Sequence, residues 1–342
     1  MSAIEEARHD EGVTLSPTAG SPGGNRRLAF RGGGVVAFLV LLAAIADGPH
    51  LLGTANETLW TTIFTLMALA QAWNLLGGYG GQFSIGHGLF VGLGGYTSTI
   101  LLLHTGLPVA GAIAGAVLVS GIIGAVSAVP LLRLRGVYYS VGTIGLLLAV
   151  QAWFTNWSYA GQTTGVVMPA SGTLGFNAQY YMAAGVVVLT TVVVWGLVRS
   201  RFGRRLMAVR DDEEAAAELG VDGFKVKLLA MTVSAMLVGL AGSMNAFQQL
   251  TLEPYSAFSI SWAINMILAC VIGGLATVPG PLIGAALMFE LQQRLQGSSD
   301  LAPLVEGVIL LIVIRFVPGG IWGLVCRWWA KLTDLVARNA ER

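Results

Sequence analysis

The chain has 342 residues, of which 55% are hydrophobic and only 11% charged, with a formal net charge of +1. Soluble domains typically carry about 25% charged residues. A water-soluble core of this size would need a far larger polar shell, so the composition excludes a soluble globular protein and indicates an integral membrane protein. Nothing in the charge balance points to a nucleic-acid partner. Two cysteines, Cys270 and Cys326, make neither a metal-ligand pattern nor a disulfide framework.

Residues 1–31 are polar, with Gly, Ser, Pro and mixed charge, and read as a disordered tail. The apolar run 35–46 stops at Asp47-Gly48-Pro49. Ala44-Ile45-Ala46 also fits a small-x-small cleavage site, but the expectation is an uncleaved, short first span. Further apolar segments cover 59–76, 84–104, 107–131, 138–157, 180–198, 228–250, 260–278, 280–294 and 301–317. Most reach the ~17–25 residues that cross the hydrocarbon core, and 280–294 is short. The expected fold is all-α, with about eight to ten transmembrane helices, some broken by Gly and Pro or re-entrant. The transmembrane domain would run over 32–326, followed by a cytosolic tail at 327–342.

Charge is concentrated in one place. Residues 199–227 hold 13 of the chain's 37 charged side chains and are flanked by apolar runs on both sides. Such an island reads as a cytosolic loop, although a solvated connector would look similar. Threaded with the N-terminus inside, the chain puts 18 of its 19 Lys and Arg on the cytosolic side, including Arg133 and Arg135, and leaves only Arg294 outside. The positive-inside rule therefore places both termini in the cytosol. Residues 156–179, free of Lys and Arg, become the main external loop. Trp153, Trp157, Trp328 and Trp329 lie near span ends, as interfacial anchors do.

Within the island, Met207 to Leu219 is expected as one short helix, with Asp211 and Asp212 early in it, where the helix dipole favours carboxylates. Gly220 follows as a helix-ending glycine.

Two apolar stretches are interrupted. Residues 77–97 read GGYGGQFSIGHGLFVGLGGYT and residues 273–284 read GGLATVPGPLIG. Each starts Gly-Gly-x-x-hydroxyl-aliphatic: Gly80-Gly81 with Ser84-Ile85, and Gly273-Gly274 with Thr277-Val278. Gly86, Gly88, Pro279 and Gly280 add to the breaks. Interrupted segments at matching places in two halves point to a transport site. Close helix packing through small residues is the alternative. Gln82, Ser84 and His87, with Thr277, are candidates to line a translocation path. Glu290 and Glu306 are intramembrane carboxylates, Glu306 being a candidate partner for Arg294, and His104 is expected to cap an external turn.

The run 74–88, NLLGGYGGQFSIGHG, followed by Gly95-Tyr96-Thr97, resembles the early signature of the Liv-type branched-chain amino acid permeases of ABC transporters. So do LRLRGVYY at 132–139, GLAGS at 239–243 and the 273–284 stretch. The resemblance runs from about 60 to 320, and the long tail and external loop suggest the larger, M-type subunit. The external loop at 162–166 departs from the family's glycine-rich pattern, and urea and amide permeases share the scaffold.

Glu214-Ala215-Ala216-Ala217-Glu218-Leu219-Gly220 fits the E-A-A-x-x-x-G pattern of importer coupling helices. The resemblance implies that Arg210, Asp211, Glu214, Ala215, Ala216 and Gly220 dock on a cytosolic ATPase. No G-x-x-x-x-G-K-[ST] phosphate loop occurs in the chain. ATP and Mg would then belong to partner subunits, and this chain would hold no cofactor or metal and would not be an enzyme. The implied assembly pairs it with a second homologous permease, two ATPases and an external solute-binding protein in the cytoplasmic membrane. A stand-alone secondary transporter fits the breaks but not the coupling motif. An intramembrane hydrolase built on Ser84 and His87 is the remaining alternative.

Overall fold

The computed structural model describes residues 54–295, 307 and 319–328. The expected tail at 1–31, the first apolar run, the 301–317 segment and the tail beyond 328 lie outside these residues. The elements are α1 (Thr54–Asn74), α2 (Gly88–Thr105), α3 (Val109–Leu131), α4 (Val137–Asn156), α5 (Phe176–Arg199), α6 (Arg201–Asp211), α7 (Glu213–Glu218), α8 (Gly223–Gln249), α9 (Pro254–Ala257), α10 (Ile260–Gly273) and α11 (Pro279–Leu295). Two-residue strands β1 (Val166–Val167) and β2 (Thr251–Leu252) pair antiparallel.

The protein is an all-α integral membrane protein. Among the described residues, six helices are long and apolar enough to cross a membrane: Glu57–Tyr79, Val109–Leu131, Val137–Asn156, Phe176–Arg199, Gly223–Gln249 and Pro254–Gly273. The shorter α2 and α11 pack into the same bundle. Helix α1 is its axis, with 78% of its spanning window buried, against 22% for α4 at the periphery. Around α1 stand α5, α8, α10 and α11, and α8 in turn packs on α2 and α3.

Lipid is as apolar as leucine, so burial of apolar surface alone does not drive helices together in a membrane; close packing and hydrogen bonds do. Glycine supplies that packing here. A side chain at Gly94 would strike the Gly239 carbonyl, and one at Gly242 would strike Val91, so α2 and α8 cross with their backbones in near contact. Gly284 meets the Ala269 carbonyl in the same way between α11 and α10.

The bundle has two unlike poles. At one, the loop 157–175 is tied to the α8–α9 connection by the β1–β2 pair, and α2 is tied to the same connection by Tyr96, whose hydroxyl donates to the Leu252 carbonyl at 3.0 Å. Tyr96, Phe154 and Phe258 cluster there, and Trp153 stacks on Trp157 at 5.0 Å. His104, in the last turn of α2, stacks on Tyr159 at 4.3 Å. Among the described residues Glu290 pairs with Arg294 at 2.7 Å, one turn along α11; Glu306, the other expected partner, lies outside them. The other pole carries the charged loop.

Candidate functional site

Both sequence interruptions are real breaks, and they lie against each other. Helix α1 ends in a π-helical turn, Leu75–Tyr79, a feature frequent at functional sites. The chain then leaves helical geometry until Gly88. Its polar backbone groups are satisfied by protein, as they must be at membrane depth. Trp73 Nε1 donates to the Ser84 carbonyl at 2.8 Å, and Ser140 Oγ donates to the Phe83 carbonyl at 2.6 Å. The backbone N–H groups of Ile85 and Gly86 both reach Thr143 Oγ1 at 3.2 Å. Gly86 packs on the Thr143 carbonyl and Gly88 on that of Ser259, which leaves no room for a Cβ at either.

The second break runs from Gly274 to Val278. Thr277 Oγ1 donates to the Gly274 carbonyl at 2.7 Å and accepts from Gly280 N–H at 3.1 Å, closing the turn into α11. Gly273 faces Gly280 and Gly284, Pro279 opens α11, and Gly320 returns to lie on Gly274. The repeated Gly-Gly-x-x-hydroxyl pattern has a backbone meaning. The second glycine of each pair takes a left-handed conformation, φ +66° at Gly81 and +129° at Gly274. Gly80, the first of its pair, faces the Leu206 side chain of α6. The hydroxyls, in contrast, act differently in the two breaks.

Ser84 and His87 are fully buried. His87 Nδ1 lies 2.7 Å from Ser84 Oγ, and Nε2 lies 3.1 Å from Ser234 Oγ on α8. Ser234 spends its own proton on the Ala72 carbonyl at 2.8 Å. Its oxygen must therefore accept from Nε2–H. In a neutral imidazole Nδ1 then accepts from Ser84, and the chain of bonds ties the first break to α8 and α1. Gln82 is placed apart from this network, half-buried beside a cleft of about 620 Å³. The cleft opens at the charged pole between the 132–136 loop and α7, and Arg133, Arg135, Glu213, Glu214 and Lys227 also line it.

The charged loop differs from the expected single helix over 207–219. It is an elbow of two helices, because Asp212 has extended backbone (φ −157°) and caps α7, accepting from Glu214 and Ala215 N–H at 3.0 Å each. Asp211 ends α6 instead of opening a helix, and Ser200 caps α6 by accepting from Phe202 N–H at 3.1 Å. Gly220 does end the second helix, at φ +78°. The elbow is pinned from inside by buried Val209 and Ala216 and by a 2.8 Å ion pair between Glu213 and the nearly buried Lys227 of α8. Asp222 caps α8; its carboxyl is held below the usual range by the hydrogen bond from Lys225 N–H and by the Lys225 ammonium. Glu214, Ala215 and Leu219 face outward, Leu219 with 85% of its surface exposed.

The family described as "Branched-chain amino acid transport system / permease component" matches residues 53–317. The chain belongs to this family. It is similar to the high-affinity branched-chain amino acid transport system permease protein LivM of Escherichia coli, 26% identical over 323 residues, covering 83% of this chain and 74% of LivM. The L-arabinose ABC transporter permease protein AraH of Azospirillum brasilense is also 26% identical, over 335 residues, covering 92% of this chain and 96% of AraH. Among solved structures, PsaBC from Streptococcus pneumoniae in complex with Fab superposes with a TM-score of 0.45 at 13% identity, over 81% of this chain and 96% of that one. This chain is thus an ABC permease, a membrane-embedded transport subunit of a class that works with ATPase and binding-protein partners.

Three residues of this permease's site carry no expectation from the sequence: Asn74 binds the second break, and Thr143 and Ser234 satisfy the first break from other helices. Arg210, expected from the sequence only as an ATPase-docking residue, also donates to the Gly78 carbonyl. Asn74 carried a signal, a polar side chain at the end of an apolar helix just before a glycine pair. The two hydroxyls carried none, since Ser and Thr are common in membrane helices.

Proposed function

We propose that this chain is the permease subunit of an importer for branched-chain amino acids, powered by ATP hydrolysis on separate subunits that hold ATP and Mg. It pairs with a second homologous permease, two ATPases and an external binding protein in the cytoplasmic membrane. It carries solute without chemistry of its own. The observation that carries the proposal is the outward face of α7. Glu214, Ala215 and Leu219 are exposed while Ala216 is packed inward, so the E-A-A segment offers a small-residue surface with one apolar projection. That is the shape of a helix that sits in a groove on another protein. The LivM resemblance supports the solute class. AraH spans slightly more of the chain, so a pentose is the competing solute and a urea or amide the next.

Orientation follows from charge. Arg133, Arg135 and the 199–227 loop share one pole, which we assign to the cytosol under the positive-inside rule. Both termini then lie inside and loop 157–175 outside. Gln82, at the cleft of the cytosolic pole, lines the mouth of the path, while Ser84, His87 and Thr277 hold the breaks that shape it.

The test is reconstitution with candidate ATPases and a candidate binding protein, scoring ATP hydrolysis on addition of leucine, L-arabinose or urea. Stimulation by leucine supports the proposal. Stimulation by another solute alone reassigns the substrate, and uptake without any ATPase indicates a stand-alone carrier. For orientation, Thr163→Cys in a background lacking Cys270 and Cys326 should label in intact cells. Labelling only after permeabilisation would invert the topology.

A further inference from the structure

We propose that Arg210 is a positioning residue, a latch that carries movement of the α6–α7 elbow into both membrane breaks. Its guanidinium Nη1 donates to the Gly78 carbonyl, in the π-helical turn of α1, at 3.3 Å. The other edge of the guanidinium is fixed: Nε and Nη2 both bond Asp211 Oδ1, at 2.9 and 2.7 Å. The stem of Arg210 lies across Gly81, where a Cβ would fall 2.6 Å from Arg210 Cγ. Position 81 is therefore glycine for two reasons, its left-handed backbone and this contact.

From Gly78 the connection reaches the second break in one step. A Cβ at Gly78 would lie 2.8 Å from Ala276 N, and that N–H is bonded to Asn74 Oδ1 at 3.0 Å. Elbow, π-turn and second break thus form one contiguous set of contacts, and Arg210 is the member that joins the exposed elbow to the buried pair. A charge-assisted bond to a carbonyl is short-ranged. Displacement of the elbow either drags the π-turn with it or breaks the bond, which gives the connection two discrete arrangements, as a coupling element requires. The inference rests on the ABC-importer reading above.

The experiment uses the full transporter in proteoliposomes with its ATPases and binding protein, measuring solute uptake and ATP hydrolysis in the same vesicles. For Arg210→Ala, the solute moved per ATP is expected to fall by about tenfold, the scale of losing one charge-assisted bond. Arg210→Lys, which keeps a cationic donor, should recover part of that ratio. An unchanged ratio in Arg210→Ala overturns the latch. So does a loss of ATPase from the purified complex with the ratio preserved, which would make Arg210 a docking residue. Where Arg210→Ala fails to assemble, Asp211→Ala carries the test: it removes both bonds that fix the guanidinium without touching Gly78, and an unchanged ratio there also overturns the proposal. If the wild-type protein neither retains an ATPase nor couples uptake to ATP, the importer reading itself fails, an outcome separate from all of these.

Discussion

Asn74 holds Thr277 in a two-way clamp: its Nδ2 donates to the Thr277 carbonyl at 2.8 Å, while its Oδ1 accepts from the neighbouring Ala276 N–H at 3.0 Å. One amide thereby satisfies a donor and an acceptor in a turn where Ala276 is forced to φ +54°. No hydrocarbon side chain can do either job. Asn74→Leu should leave both groups unpaired and cost about 1–3 kcal/mol for each. Asn74→Asp keeps an acceptor for Ala276 but sets a carboxylate oxygen against the Thr277 carbonyl, so it should be no better. Thermal unfolding of the purified protein in detergent would measure this, and wild-type melting of Asn74→Leu would show that the clamp contributes nothing.

The imidazole of His87 offers a sharper test, because its bonds run in a fixed order from Ser84 to His87 to Ser234 to the Ala72 carbonyl. Ser234→Ala orphans Nε2–H, and Ser84→Val orphans Nδ1. Each single change should destabilise by about 1–3 kcal/mol, the desolvation cost of an unmet buried group. Removing every partner is cheaper than removing one. The triple change Ser84→Ala, His87→Leu, Ser234→Ala should therefore unfold at a higher temperature than Ser234→Ala alone. Strictly additive losses would disprove a connected network.

Much of this was readable from the sequence, for physical reasons that can be named. Gly80-Gly81 and Gly273-Gly274 announced the breaks because a glycine pair cannot sustain a buried helix cheaply, and both second glycines do turn left-handed. The charged pole was evident because Lys and Arg cannot be spread through a bilayer. What could not be read were contacts made at long range. Nothing local to Asn74 says that its partner lies 203 residues away. The elbow is hidden for a local reason: Met207 to Glu218 is rich in good helix formers, and Asp212, adjacent to Asp211 in a charged run, does not by itself reveal that it caps a second helix. A histidine at membrane depth is costly, which makes His87 a path candidate from sequence alone; the hydrogen-bond network is how the fold meets that cost.

Glycines that look alike in the sequence should respond differently. Gly94→Ala pushes a methyl into the Gly239 carbonyl, and backbone cannot move aside as a flexible side chain can. Overpacking of this kind costs about 1–3 kcal/mol. Gly185, on α5, has open space around its would-be Cβ. Gly185→Ala should leave stability unchanged or raise it by about 0.5–1 kcal/mol through helix propensity. Equal melting temperatures for the two variants would refute the packing account of the α2–α8 crossing.

The elbow gives the last prediction, and the structure divides it between two adjacent alanines. Ala216 is 3% exposed and packs into this chain, whereas the adjacent Ala215 is exposed. A tryptophan at 216 has no room, so Ala216→Trp should lift α7 away from its own protein and lower its stability by about 1–3 kcal/mol. Ala215→Trp meets nothing within the chain. Its effect should appear only where a partner sits, as weaker co-purification of the ATPase and loss of ATP-driven uptake, with melting of the isolated permease unchanged. Overpacking a fitted interface by about 1.4 kcal/mol already lowers affinity tenfold. Glu214→Lys should behave like Ala215→Trp, because it reverses an exposed charge beside that face without disturbing the Glu213–Lys227 pair that anchors the elbow. Full uptake with an intact complex in both Ala215→Trp and Glu214→Lys would mean that the exposed face of α7 is a solvated connector, and the docking role would have to be sought elsewhere on the charged pole.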